Sequence, residues 1–171
     1  TGTRIGKKLI IANPNNTNLK YVFGKFLINT KQYKESFSFW NELLRDRGET
    51  DTTLFYTLLS ETLFKKSVSD TDSEYFANIE DQELQNRLPQ LLQARLLLEQ
   101  NRALESVALL EKLLSKDLPI LSIDDPYEWL AEGYGLIGKR DYAIATYVFL
   151  LQRNPGIVNY KLEIRDILNH K

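Results

Sequence analysis

The chain has 171 residues, 43% hydrophobic and 26% charged, which is the make-up of one ordinary folded domain or a short solenoid. Its 22 basic and 23 acidic residues leave a net charge of −1, so no global positive field exists to draw nucleic acid or an anionic bilayer. The absence of cysteine removes disulfides, zinc-thiolate sites and thiol nucleophiles, and no run reaches the roughly 18 to 20 apolar residues of a membrane span.

In chain order, "KKLIIANPNN" (7–16) reads as the end of a helix stopped at Pro14. Apolar residues at three- and four-residue spacing then predict helices through 19–27, 37–44, 54–64, 88–98, 107–114, 127–136 and 144–151. The polar breaks at 30–32, 48–51, 100–102, 116–123 and 138–140 are turn-length and suit antiparallel neighbours. Asp51 and Asp125 are the expected acceptors for helix N-terminal amides, Pro126 fits a first turn, and Pro155 with Gly156 ends a helix. "PILSI" (119–123) has a strand-like composition and is read as a linker. "YKLEIRDIL" (160–168) is expected to be a capping helix or the first helix of a truncated unit.

Charge is segregated along this path. Residues 1–47 carry nine Lys or Arg against three Asp or Glu, residues 48–83 carry two against nine, and the remainder balances at eleven each. Most of the acidic excess lies in "SDTDSEYFANIEDQE", with Asp70, Asp72, Glu74, Glu80, Asp81 and Glu83, and is read as a solvated loop or polar helix face.

Spacing exposes an internal repeat. Gly24, Ser36 and Leu43 are separated by twelve and seven residues; Ala94, Ser106 and Leu113 repeat those intervals, as do Ala131, Ala143 and Leu150. Four residues after the second small residue stands Trp40, Leu110 or Tyr147. Small residues where two helices cross, with a large side chain filling the space beside them, allow axes closer than the usual ~8–10 Å. A period near 35 residues built from two helices predicts an all-α helical array.

These residues resemble the tetratricopeptide repeat, a two-helix unit of about 34 residues. The matches are Phe23, Gly24, Leu27, Tyr33, Ser36 and Trp40; then Ala94, Leu97, Ser106 and Leu110; then Tyr127, Leu130, Ala131, Tyr134, Ala143, Tyr147 and Pro155. Residues 1–16 read as the end of a preceding unit, 17–50 as unit 1, 51–86 as a degenerate unit 2, 87–122 as unit 3, 123–156 as unit 4, and 157–171 as a capping or truncated helix. In unit 2, Leu58 or Leu59 stands at the small position and the following segment lacks an apolar pattern, so its second helix is expected to be displaced, short or irregular. The resemblance implies a right-handed superhelical array forming a single domain. With no Met even at position 1, the chain reads as an excised piece of a longer protein.

The same resemblance implies function. First helices line a concave groove, with the positions three before and one after each small residue facing it: Tyr21 and Lys25, Tyr56 and Ser60, Leu91 and Arg95, Glu128 and Glu132. The expected role is a non-enzymatic interaction module or scaffold for a protein or peptide. The alternatives are a spacer that self-associates through its ends, and a regulatory segment of an enzyme whose active site lies elsewhere. The Lys, Asn and Arg clamp by which chaperone-binding members hold a C-terminal carboxylate has no counterpart at Tyr21, Lys25, Tyr56, Thr57, Leu88 and Leu92. His170 is the only histidine, so a Ser-His-Asp triad or histidine metal site has nothing to draw on, and no cofactor or metal is expected. "EGYGLIGK" (132–139) runs through a helical pattern and is no phosphate loop. Neither nucleic acid nor membrane insertion of this segment is expected. Periplasm and cytoplasm both stay open, with the analogy to envelope-assembly members pointing to the bacterial periplasm.

Overall fold

The computed structural model describes residues 2–47, 50–68 and 74–169, and among these every regular element is a helix. The chain divides into two compact units, residues 1–79 and 80–171. The first unit holds α1 (Gly2–Ala12), α2 (Thr17–Asn29), α3 (Tyr33–Arg47), α4 (Asp51–Lys65) and the short α5 (Glu74–Ala77). The second holds α6 (Gln82–Glu99), α7 (Ala103–Leu113), α8 (Asp125–Leu136), α9 (Arg140–Arg153) and α10 (Val158–Asn169). Within each unit sequence neighbours are spatial neighbours, and in the second unit α6 also touches α8.

The repeat is written into the backbone as well as the side chains. Seven residues after each small residue of the three copies, Lys31, Asn101 and Gly138 take φ of 59°, 59° and 76°. The left-handed residue ends the helix and lets the next amide reach back: Gln32 N donates to Leu27 O, Arg102 N to Leu97 O and Lys139 N to Tyr134 O, each at 2.9 Å. Lys66 (φ 57°) with Ser67 N to Thr62 O repeats the device after α4. Thus α4 ends as a first helix does, yet among the described residues the helix that follows is only the four-residue α5. The acidic residues Asp70 and Asp72 lie outside the described residues.

The small residues of the repeat are all buried. Gly24 lies under the indole of Trp40: a Cβ there would sit 2.3 Å from Cζ2 and 2.5 Å from Cε2. The ring is fully buried and covers Gly24 itself rather than a gap beside it. Ser106 Oγ donates to Ala94 O at 2.8 Å, so α7 closes on α6 through a hydroxyl-to-carbonyl bond. Ala131 and Ala143 are buried between α8 and α9, with Tyr147 and Leu150 filling the next turn. Ser36 reaches the other way too, its Oγ lying 2.8 Å from Ser60 Oγ on α4.

Helix starts correct two expectations. The cap of α4 is Thr50, whose hydroxyl accepts from Thr53 N while Thr53 Oγ1 accepts from Thr50 N, and Asp51 is the first helical residue. Asp125 likewise opens α8 from inside and is 7% exposed, while the preceding Asp124 makes no capping bond and instead takes Arg153 Nε at 2.8 Å. Hydroxyls outcompete carboxylates at Thr50, and the guanidinium diverts Asp124. Helix α6 begins at Gln82, ahead of the boundary expected at 87 and running through Pro89, because Asp81 accepts from Leu84 N and supplies the cap.

Residues 115–124 between α7 and α8 are neither helix nor strand, as the linker reading expects. Side chains strap them down. Arg87 Nη1 donates to Leu113 O at 3.1 Å and Pro119 O at 3.0 Å, Arg153 Nη2 donates to Leu121 O at 3.0 Å, and the Tyr127 hydroxyl accepts from Leu121 N at 3.2 Å.

Candidate functional site

The first helices of the pairs are α2 and α4 in the first unit and α6, α8 and α10 in the second. Each unit presents its own first-helix face. In the first, Tyr21 and Lys25 stand one turn apart on α2 and are half-buried. Tyr21 packs on Trp40 with ring centroids 5.5 Å apart, and Lys25 Nζ lies 5.8 Å over the Tyr56 ring.

Three of the groove positions lie inside the protein instead. Tyr56 is 6% exposed and stacks on Trp40 at 4.7 Å; Ser60 is fully buried against Ser36; Leu91 is fully buried in α6. The reason is visible in α4, where Thr53 through Ser60 are all buried: a helix that is apolar or small on every side is wrapped on every side. Register placed these residues correctly along their helices, but their side chains belong to the core.

The second unit ties its polar candidates together, with Glu132 exposed, Glu128 half-buried and the Arg95 side chain only 11% exposed. Arg95 on α6 donates from Nη1 to Glu132 Oε2 and from Nη2 to Glu99 Oε1, each at 2.6 Å, with its guanidinium 5.9 Å over the Trp129 ring. Glu128, one turn before Glu132, accepts from the Tyr160 hydroxyl of α10 at 2.6 Å. Side-chain bonds thus run from α6 to α8 and from α8 to α10 across the first-helix face. Burial first, then the Glu128 bond, holds the Tyr160 phenol far above its ordinary pKa; burial and then Glu163, Glu132 and Glu128 do the same to Tyr147. Tyr160, Trp129 and Glu163 are participants that the groove rule missed; Tyr160 carries a signal, since it falls 33 residues after Tyr127.

Among the described residues no group of three acidic, histidine or cysteine side chains converges as a metal site, and Asp124, Asp125 and Glu128 do not gather as one. His170 lies outside the described residues. A shallow hollow elsewhere in the first unit is lined by Phe37, Asn41, Glu42, Arg45 and Tyr75, with the Tyr75 hydroxyl donating to Asn41 Oδ1 at 3.2 Å.

Among the described residues the fold is all-α, a succession of neighbouring helices with left-handed turns at Lys31, Asn101 and Gly138. No family model matches the sequence, and no curated protein does. Among solved structures, a thermophilic tetratricopeptide-repeat protein of Thermus thermophilus is similar over 97% of this chain and 88% of its own, at 13% identity and a TM-score of 0.46.

Proposed function

We propose that the chain is a protein-interaction module that holds a peptide segment of a partner on a face built from first helices within one unit, that of α6, α8 and α10 in the second. The observation that supports this most is the second-unit face, where Arg95, Glu132, Glu128 and Tyr160 form a linked polar surface over Trp129 and Tyr147. Paired charges with rings beneath them can grip an extended or helical segment through hydrogen bonds and apolar contact together. Tyr21 and Lys25 supply the equivalent chemistry on the first unit.

Selection from a displayed random-peptide library tests the reading, using wild type, a Lys25→Glu/Glu132→Lys variant, and an Ala145→Arg control on the exposed side of α9. Peptides should enrich on wild type and the control and lose at least tenfold binding on the first-helix variant. Enrichment that survives the first-helix changes and falls with Ala145→Arg would move the site to the second helices.

A second reading draws on the terminal helices. Helix α1 buries no residue fully and leaves Ile5, Leu9 and Ile11 exposed, and α10 leaves Val158, Leu162 and Leu168 exposed. A spacer or self-stacking role follows if a second copy covers those exposed apolar faces. Sedimentation equilibrium distinguishes it: mass that rises with concentration and returns to the monomer value on Leu9→Lys supports stacking, and a constant monomer mass removes it.

A further inference from the structure

We infer that the recess between Tyr134 and Tyr142 is a binding site for a methylated or quaternary ammonium group, filled in the free protein by its own Lys139. Three helices of the second unit build it. Tyr134 lies buried in the last turn of α8, Tyr142 stands exposed on the first turn of α9, and their ring centroids are 5.3 Å apart at an interplanar angle of 42°. Glu111 on α7 supplies the charge. Its Oε1 accepts from the Tyr134 hydroxyl at 2.9 Å, which fixes the carboxylate beside the rings. The left-handed turn at Gly138 then delivers Lys139, whose ammonium lies 5.7 Å from the Tyr134 centroid, 5.4 Å from that of Tyr142 and 3.7 Å from Glu111 Oε1.

The resident ammonium fits loosely, and the looseness points to the ligand class. Cations are held over aromatic rings within about 6 Å of the centroid, and both ring distances lie near that limit. The Glu111 contact is longer than the roughly 2.7–2.9 Å of a charge-assisted hydrogen bond. A bare ammonium leaves its hydrogens unmatched there, whereas N-methyl groups fill the space to rings and carboxylate and need no acceptor. Arg153 shows what a structural cation looks like in the same unit. Its guanidinium lies 5.7 Å from the centroids of both Tyr127 and Phe149, yet it also donates to Asp124 Oδ1 at 2.8 Å and Leu121 O at 3.0 Å. Among the described residues the Lys139 ammonium has only the rings and the long Glu111 contact, and its side chain is 48% exposed, so it can leave for water at little cost. A hard metal ion takes about six to eight oxygen ligands, more than one carboxylate and two phenols offer.

The site uses no residue of the first-helix face, so it stands independently of the peptide-binding reading. The probe is Nα-acetyl-Nε-trimethyl-lysine methylamide, titrated into wild type, Lys139→Ala and Lys139→Ala/Tyr142→Leu while the Tyr134 ring resonances are followed by NMR. Circular dichroism checks each protein for unchanged helix content and melting, and Lys139→Gln replaces the alanine variant if that one fails the check. Removing the resident lysine should give saturable shifts of the Tyr134 ring. Wild type should bind at least threefold more weakly, because Lys139 competes, and Tyr142→Leu should cost at least tenfold. The unmethylated lysine probe and the uncharged tert-butyl isostere should each bind at least fivefold more weakly than the trimethyl probe. Absence of saturable shifts on the Lys139 variants, equal binding by wild type, binding that survives Tyr142→Leu, or equal binding of either control probe overturns the assignment.

Discussion

Gly24 and Trp40 show how one residue pair sets a helix crossing. A methyl on Gly24 would lie 2.3 Å from the indole, so the ring must move, and Trp40 is fully buried with its Nε1 making no hydrogen bond among the described residues. Gly24→Ala gains about 1 kcal/mol of helix propensity and loses roughly 1–3 kcal/mol to overpacking, so urea unfolding should show net destabilisation. Gly135 makes the contrast: nothing lies within 4 Å of its Cβ position, and Gly135→Ala should stabilise by up to about 1 kcal/mol. Left-handed turns give a matched pair. Asn101→Gly relieves a left-handed non-glycine and should stabilise by a few tenths to about 1 kcal/mol, whereas Gly138→Ala should cost about 1 kcal/mol.

Three phenols set an alkaline limit at the same scale. Burial, followed by the Glu111 bond at Tyr134, the charge of Glu163 at Tyr147 and the Glu128 bond at Tyr160, raises all three above the ordinary value of 10.0. A raised folded pKa means the folded state keeps its proton longer than the unfolded one. That stabilisation is full below pH ~10 and is lost as pH climbs through and beyond it. Absorbance at 295 nm should therefore show these phenolates appearing together with loss of helical dichroism. Titration of all nine tyrosines near pH 10 with the helices intact would contradict the packing described.

Helix pairing was legible because small residues, bulky fillers and turns recur at fixed intervals; Gly24 meets Trp40, while the hydroxyl of Ser36 meets Ser60 on α4. Side-chain exposure was not legible from register alone. Tyr56, Ser60 and Leu91 sit at groove positions by count, yet Trp40 and Ser36 cover the first two. The run of Thr and Leu around them, with no charged residue from Thr52 to Ser60, was the available sign of a helix buried all round. Caps shifted by one residue for two reasons: the Thr50–Thr53 capping box is a local signal that favours Thr50 over Asp51, whereas Asp124 is claimed by Arg153, which lies outside the local pattern. Linker 115–124 depends on Arg87, a buried cation on two carbonyls and on Glu83. Arg87→Ala should cost about 2–3 kcal/mol by leaving those carbonyls short of a donor. Amide exchange at Leu121 should accelerate well beyond the global change, and a uniform loss across α6–α10 would mean that the strap carries no local role.

At the scale of the whole molecule, the proposed interaction role turns on which side of the helix pairs would meet a partner. The first unit brings aromatic packing around Trp40 beneath Tyr21 and Lys25, and the second brings linked charges and phenols on α6, α8 and α10. Even charge balance overall hides this, because the acidic and basic groups are sorted along the chain. The most direct measurement is NMR shift mapping of the isotope-labelled chain with a peptide selected on it. The account predicts that the largest changes fall on Arg95, Glu128, Glu132 and Tyr160 of the second unit. Changes confined to the exposed sides of α3, α7 and α9 would contradict it.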